Sequence, residues 1–213
     1  MRSGGGRIHR YQSLPSTNST AKEMAAAGAE HGTVIIADSQ TAGRGQYGRA
    51  FFSPPDHGLY MSVILRPPHF LTETPSLATA FAAVAVCEAI EAVSDKKPRI
   101  KPVNDILLGA KKVCGILAET SAGAESGRVR WLVVGVGINV TTPETVFPEA
   151  LRQSAGALFS AEETPVTRAR LAAEILSRLA SPARPYGKNG IDAQYRRRLI
   201  ERDEHDETNI PDA

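Results

Sequence analysis

The sequence predicts one domain of the α/β (α+β) class, a mixed β-sheet packed against helices. Three observations carry this expectation. Thr33 to Ala37 and Leu59 to Leu65 are short runs dense in β-branched and apolar residues, the composition of strands. Pro75 to Val93 is a longer alanine-rich stretch, apolar almost all the way round, as in a central buried helix. Helical and extended segments then follow one another in mixed order without an internal repeat. At 213 residues, 42% apolar and 23% charged, the chain is long enough for one real core and has the balance of a folded protein.

Taken in order, Ile8 to Tyr11 reads as a short first strand. Ser16-Thr17-Asn18-Ser19-Thr20 offers capping oxygens ahead of Ala21 to Ala27, a run of strong helix formers closed by Gly28 and Gly32. The two strands named above follow, separated by a glycine-rich segment, and then comes the long helix. Arg99-Ile100-Lys101 leads through Pro102-Val103-Asn104-Asp105 into Ile106 to Leu108. Gly109-Ala110 then turns the chain into Lys111 to Glu119, a hairpin with its lysines at the turn. Arg130 to Val134 reads as a strand that ends at Gly135-Val136-Gly137-Ile138-Asn139. Thr167 to Leu179 is an amphipathic helix. Pro182, Pro185, Gly187 and Gly190 interrupt structure before a last helix at Ile191 to Leu199, and the charged tail from Glu201 to Ala213 is expected to be disordered.

Composition excludes several classes. A net charge of +2 makes no demand for nucleic acid or an acidic membrane as partner. Cys87 and Cys114 are far apart and flanked by apolar residues, so they read as reduced core residues rather than a disulfide framework or metal site. Met1 to Gly6 lacks the apolar core of a signal peptide. Leu77 to Val93 is interrupted by Thr79, Glu88 and Glu91 and falls short of the roughly 20 residues a bilayer needs. A cytoplasmic address is the expectation.

Three segments carry chemistry. Gln40-Thr41-Ala42-Gly43-Arg44-Gly45-Gln46-Tyr47-Gly48-Arg49, ending at Phe51-Phe52-Ser53-Pro54, combines glycines that admit close approach with guanidinium groups suited to phosphate. Tyr47, Phe51 and Phe52 offer flat faces for a heterocycle. It matches neither a Walker loop nor a dinucleotide fingerprint, and alone it also reads as a flexible surface loop. Asn104-Asp105 faces Lys112 across the expected hairpin. A carboxylate beside an amide suits Mg²⁺ with phosphate oxygens, and a lysine there would neutralise charge at an α-phosphate, although an Asn-Asp turn with a solvated lysine has the same sequence. Gly135-Val136-Gly137-Ile138-Asn139 reads either as backbone brought close to a ligand or as an ordinary strand exit.

The order of these pieces resembles the biotin–protein ligase family. Its hallmark is a glycine-arginine-glycine loop ending in an aromatic and Ser-Pro, then lysine before Asn-Asp, a basic residue with lysine and Gly-Ile-Leu, and finally Gly-Ile-Asn. These stand here as Gly43-Arg44-Gly45 with Gly48-Arg49, Phe51-Phe52-Ser53-Pro54, Lys101, Asn104-Asp105, Lys111-Lys112, Gly115-Ile116-Leu117 and Gly137-Ile138-Asn139. Ser16-Thr17-Asn18 and Gln40 match as well, so the resemblance runs from about Ile8 to Leu179. It implies a class II synthetase-like catalytic domain over residues 1–181, with residues 182–213 a polar, partly disordered extension and no complete carboxyl-terminal β-barrel.

The resemblance also implies the site. Biotin's ureido ring would meet Ser16, Thr17, Asn18 and Gln40, and Gly43, Arg44, Gly45, Gln46, Lys112 and Gly115 would complete the biotin contacts. Arg49, Phe51, Asn104, Lys112 and Asn139 would hold ATP, with Phe51 near adenine, and Asp105 would hold Mg²⁺. Lys112, Arg44 and Asp105 are the implied catalytic residues, Lys112 bridging the biotin carboxylate and the α-phosphate. The product would be biotinyl-5'-AMP, passed to a lysine of a biotin carboxyl carrier protein or domain of the acetyl-CoA carboxylase type.

Three departures from the family pattern are visible. Gln46 stands where many members carry arginine, Pro102 where a tryptophan is common, and a polar tail where most bacterial members continue into the barrel. Too few residues precede the first strand for a winged-helix module, so direct DNA binding is not expected, nor is a membrane; a monomer or homodimer is. A lipoate–protein ligase-like acyltransferase and a non-catalytic biotin or adenylate sensor are the alternatives.

Overall fold

The structure is a computed structural model that describes residues 6–66, 75–121, 130–160, 163, 167–179 and 188–200. The expectations for Met1 to Gly5, for the breakers Pro182, Pro185 and Gly187, and for the tail from Glu201 lie outside the described residues.

Among the described residues, seven strands form one mixed sheet of an α/β fold: β1 (Ile8–Leu14), β2 (Thr33–Gln40), β3 (Gly58–Leu65), β4 (Arg99–Lys101), β5 (Asp105–Leu108), β6 (Lys111–Thr120) and β7 (Leu132–Asn139). Their spatial order is β1-β2-β3-β7-β6-β5-β4. β1 and β2 run parallel and the other neighbours antiparallel. The helices are α1 (Thr17–Ala26), α2 (Pro75–Val93), α3 (Glu149–Arg152), α4 (Arg168–Leu179) and α5 (Lys188–Arg198).

The central strand β3 explains the layering. All eight of its residues are buried, and successive side chains point to opposite faces. Leu59, Met61, Val63 and Leu65 join Val134, Val136, Ile138, Cys114 and Ile116 in the large core beneath α2, α4 and α5. Ile64, with Ile35 and Val133, packs on the opposite face against Ala21 and Ala25 of α1. Tyr60 and Ser62 share that second face, and there the sheet is only partly covered by helix. The uncovered part is where a site forms.

Helix α2 spans the expected residues, and from Leu77 to Ile90 almost every position is buried. On α4 the buried residues are Leu171, Ala172, Ile175 and Leu179, one stripe at helical spacing. The Thr167 hydroxyl accepts from the Arg170 amide at 3.2 Å, a first-turn cap. Both cysteines are free and buried in the core, and burial raises both thiol pKa values, that of Cys87 to about 12.

Several boundaries differ from the sequence reading. α1 begins at Thr17, so Thr17, Asn18, Ser19 and Thr20 are inside the helix and not ahead of it. β7 does not end at Val134; it runs straight through Gly135-Val136-Gly137-Ile138-Asn139. α5 starts before Ile191 and is packed, not loose. Ile191 is buried, Arg198 pairs with Glu91 at 2.9 Å, and the Ile200 amide donates to the Ile100 carbonyl at 3.0 Å. The packed body therefore runs past the boundary expected at residue 181.

Candidate functional site

A cleft of about 520 Å³ opens on the partly covered face of the sheet. The first turn of α1 and Gln40 form one wall, and the start of β6 with the β4–β5 turn forms the other. The segment from Arg44 to Phe52 borders it, and Phe147 and Leu151 line it from beyond β7.

The floor is made by glycines of the two central strands. Gly115 and Gly137 are direct cross-strand partners, and the Phe51 ring lies on both. A Cβ at Gly137 would sit 2.6 Å from that ring, and one at Gly115 would sit 3.0 Å from it. Phe51 also meets Tyr60 edge-on, with centroids 6.5 Å apart. One ring face is thus spent on the sheet, and the expected partnership with adenine concerns what remains exposed. Two residues back along β7, about 7 Å away, Gly135 makes room for Asn18: a Cβ there would meet Asn18 Oδ1 at 2.1 Å. The glycines of β7 receive protein side chains that form the site, a role that the strand-exit reading misses.

The α1 wall is a connected set of hydrogen bonds. Gln40 Oε1 accepts from the Thr17 amide at 2.8 Å, and Gln40 Nε2 donates to Ser53 Oγ at 2.8 Å. Ser62 Oγ lies 2.8 Å from Thr17 Oγ1 and 2.6 Å from Asn18 Oδ1. Ser16 occupies the N-cap position of α1, yet its hydroxyl makes no capping bond. It is 2% exposed, its oxygen has no partner among the described residues, and it lines the cleft. A buried hydroxyl left unpaired costs about 1–3 kcal/mol, so this atom calls for a polar ligand group.

The opposite wall carries charge. Lys112 Nζ is 2.7 Å from Asp105 Oδ1, with both side chains about one-third exposed, and 5.9 Å from the Phe51 centroid. The backbone of Lys112 is held on both sides, its amide donating to the Ser154 carbonyl at 2.7 Å and its carbonyl accepting from Gly156 at 2.9 Å. Asn104 Nδ2 donates to the Ile116 carbonyl at 2.8 Å, bracing the turn that presents Asp105. Asn139 is 5% exposed and donates to the Gly156 carbonyl at 3.0 Å. It lines the cleft and ties β7 to the segment that anchors Lys112.

The glycine-rich segment is pinned, unlike a flexible surface loop. Arg44 bridges Ala50, the Gly45 amide donates to the Arg49 carbonyl at 2.7 Å, and a 3-10 turn covers Gln46–Gly48. Left-handed backbone falls on Gly48 (φ 73°) and also on Tyr47 (φ 55°), whose side chain is exposed. Arg44, Gly45, Gln46 and Arg49 line the cleft. Gly43 does not: it is buried at the root of the segment, where a Cβ would meet the Phe51 carbonyl oxygen at 2.3 Å. Gly43 closes the segment's base.

The sequence reading missed Ser53, Ser62, Lys22 and Glu119. Ser62, a polar residue inside an otherwise apolar strand, was a usable signal. Glu119 accepts from Lys22 Nζ at 2.7 Å and from Asn18 Nδ2 at 3.0 Å, and Arg44 lies 3.6 Å away. Burial favours its protonated form, but the bonds from Lys22 and Asn18 and the charges of Lys22 and Arg44 outweigh that, and its pKa falls below the usual carboxylate value.

The sequence profile of the Biotin/lipoate A/B protein ligase family matches residues 11–139. The bifunctional ligase/repressor BirA of Bacillus spizizenii is 42% identical over 178 residues, covering 84% of this chain and 54% of its own length. The biotin–[acetyl-CoA-carboxylase] ligase of Mycobacterium tuberculosis is 35% identical over 140 residues, 63% of this chain and 50% of that one. Biotin protein ligase from Aquifex aeolicus, solved in complex with biotin and ATP, superposes with a TM-score of 0.69 at 31% identity, covering 81% of this chain and 68% of that chain. The chain spans about half the length of the ligase relatives it matches. By this match and by its fold, the chain belongs to the biotin/lipoate A/B protein ligase family.

Proposed function

We propose that this chain is an ATP-dependent biotin–protein ligase that forms biotinyl-5'-AMP and transfers biotin to a lysine of a biotin carboxyl carrier protein. One observation carries the reading. A single cleft has an orphaned, buried Ser16 hydroxyl within a polar wall on one side and the Lys112–Asp105 pair on the other. A molecule with a compact polar ring and a carboxylate on a short apolar chain fits such a division. The polar wall favours a ureido ring over the dithiolane of lipoate, which has no N–H or carbonyl to satisfy it.

The chemistry follows from the charges. Biotin's carboxylate oxygen attacks the α-phosphorus of ATP, the bond to the pyrophosphate oxygen breaks, and a mixed anhydride forms. Lys112 sits where negative charge gathers in that step, and Arg44 and Arg49 border the same cleft. Asp105 and Asn104 fit a Mg²⁺ ion, because one carboxylate with an amide oxygen leaves the remaining positions to water and phosphate; the ion would neutralise pyrophosphate. In the second half-reaction the carrier's ε-amine attacks the acyl carbon, an amide forms, and AMP leaves.

Direct DNA binding and membrane association form no part of this reading. Among the described residues no helix is long and apolar enough to cross a bilayer, and we place the activity in the cytoplasm, in a monomer or homodimer. Incubation with biotin, ATP, Mg²⁺ and a carrier domain should release pyrophosphate and add one biotinyl group to one carrier lysine by mass spectrometry. No mass increment, or a lipoyl increment in competition, overturns the reading; ligand binding without pyrophosphate release would indicate a sensor.

Gln46 lines the cleft as a neutral side chain, so a guanidinium there would add attraction to the adenylate phosphate. We expect Gln46→Arg to slow release of biotinyl-5'-AMP about tenfold. Measuring adenylate retained after rapid gel filtration checks this, and equal retention in the two proteins contradicts it.

A further inference from the structure

We infer that Glu119 is a positioning residue that couples the two halves of the site. It sets the direction of the hydrogen-bond chain along the α1 wall and tethers Arg44 of the glycine-rich segment.

The direction follows from counting protons. A hydroxyl has one hydrogen to give, and carbonyl and carboxylate oxygens have none. Asn18 Nδ2 faces only acceptors, the Leu117 carbonyl at 3.2 Å and Glu119 Oε2 at 3.0 Å, which fixes the amide with Oδ1 toward Ser62. Ser62 must therefore donate to Asn18 Oδ1 at 2.6 Å. Its oxygen is then an acceptor for the Thr17 hydroxyl at 2.8 Å, whose other acceptor is Gln40 Oε1 at 3.2 Å. Thr17 Oγ1, with its proton directed into the protein, presents lone pairs to the cleft. Gln40, which gives one amide hydrogen to Ser53 at 2.8 Å, keeps its second for a ligand. Ser53 in turn donates to the Phe51 carbonyl at 3.0 Å. The order set by Glu119 thus runs through Asn18 and Ser62 to Thr17, whose amide holds Gln40 and through it Ser53 at the base of the segment.

Asn18, Ser62 and Thr17 are all less than 5% exposed, so water cannot compensate a reversed link. Glu119 is ionised at neutral pH, because its partners hold its pKa low. It can only accept, and this is the source of the order. The same carboxylate takes Lys22 and, at 3.6 Å, Arg44 on its other oxygen.

Glu119→Gln tests the idea. The new amide oxygen will turn toward Lys22, the cation in hydrogen-bond contact at 2.7 Å where Arg44 stands at 3.6 Å, since bonds to charged donors are about twice as strong as neutral ones, and its NH₂ then confronts the NH₂ of Asn18. Asn18 flips, and the wall offers the ligand the wrong pattern. This inference rests on the biotin reading for its ligand. In pyrophosphate-release assays, KM for biotin should rise about tenfold, while KM for ATP and kcat, which feel only the loosened Arg44 tether, should each change by less than about fivefold. Adding Lys22→Met frees the amide to turn its oxygen back to Asn18, so the double variant should return to within about threefold of the parent.

A biotin KM unchanged in Glu119→Gln, a double variant worse than the single one, or a parallel collapse of kcat and both KM values overturns the inference. Absence of turnover in the unaltered protein overturns the ligase reading instead. The tether is then read without any ligand: trypsin should cleave after Arg44 several-fold faster in Glu119→Gln, and equal rates overturn it.

Discussion

Replacing Lys112 by methionine should slow adenylate formation about a thousandfold while weakening biotin binding far less, by about tenfold for the lost carboxylate contact. The backbone on either side of Lys112 is clamped to Ser154 and Gly156, so the substitution leaves the start of β6 in place. Methionine retains the apolar stem beside Gly115 and the Phe51 ring and removes only the ammonium. What disappears is a fixed positive charge where the attacking carboxylate and the α-phosphate come together. Such a charge stabilises the transition state more than the bound reactants, and its loss appears in kcat. Asp105 loses its 2.7 Å partner, but it is partly exposed and water can take the vacated position. Pyrophosphate release gives kcat and calorimetric titration gives biotin affinity. A fall in kcat of less than tenfold would remove Lys112 from the chemistry.

How much of this was legible in the sequence depends on how local each cause is. The span of α2 is readable because its alanines and apolar residues dictate both helix and burial within one stretch. The Lys112–Asp105 pair is readable for a similar reason: a tight hairpin sets the two residues on neighbouring strands, with Asp105 opposite Gly115. β7 was cut short because glycine is a poor strand former. Its pairing with β3 on one side and β6 on the other overrides that preference. The start of α1 was misplaced because serine, threonine and asparagine favour caps, whereas here Thr17 and Asn18 hold tertiary hydrogen bonds from inside the helix. Glu119 and Ser62 were invisible in their roles. Asn18 lies 101 positions from the first and 44 from the second, and no local pattern reports contacts that distant. The motif around Gly43 speaks for a ligand, and the packing adds that it needs a residue without a Cβ to close its base, a cause that lies in the fold of the segment and not in its composition.

Gly135→Ala is the substitution with the next largest consequence, and it separates folding from recognition. The added methyl would stand 2.1 Å from Asn18 Oδ1 and 2.8 Å from Asn18 Cγ, closer than any real contact. β7 cannot retreat, because it is hydrogen-bonded along both edges. Asn18 cannot swing away without abandoning Ser62, Leu117 and Glu119. Overpacking of this kind costs about 1–3 kcal/mol, so the melting midpoint should fall by about 2–12 °C. Biotin affinity should fall about a hundredfold, because the displaced amide disorders the wall that recognises the ring. Shortening the obstructing side chain tests this account. In Gly135→Ala with Asn18→Ala the clash is gone, so the midpoint should recover part of its loss and the two stability effects should be less than additive. Affinity should stay low, because nothing then orients Ser62 and Thr17. Thermal melts and biotin titrations on the two variants decide the matter: additive destabilisation would place the strain elsewhere, and restored affinity would mean that Asn18 does not order the wall.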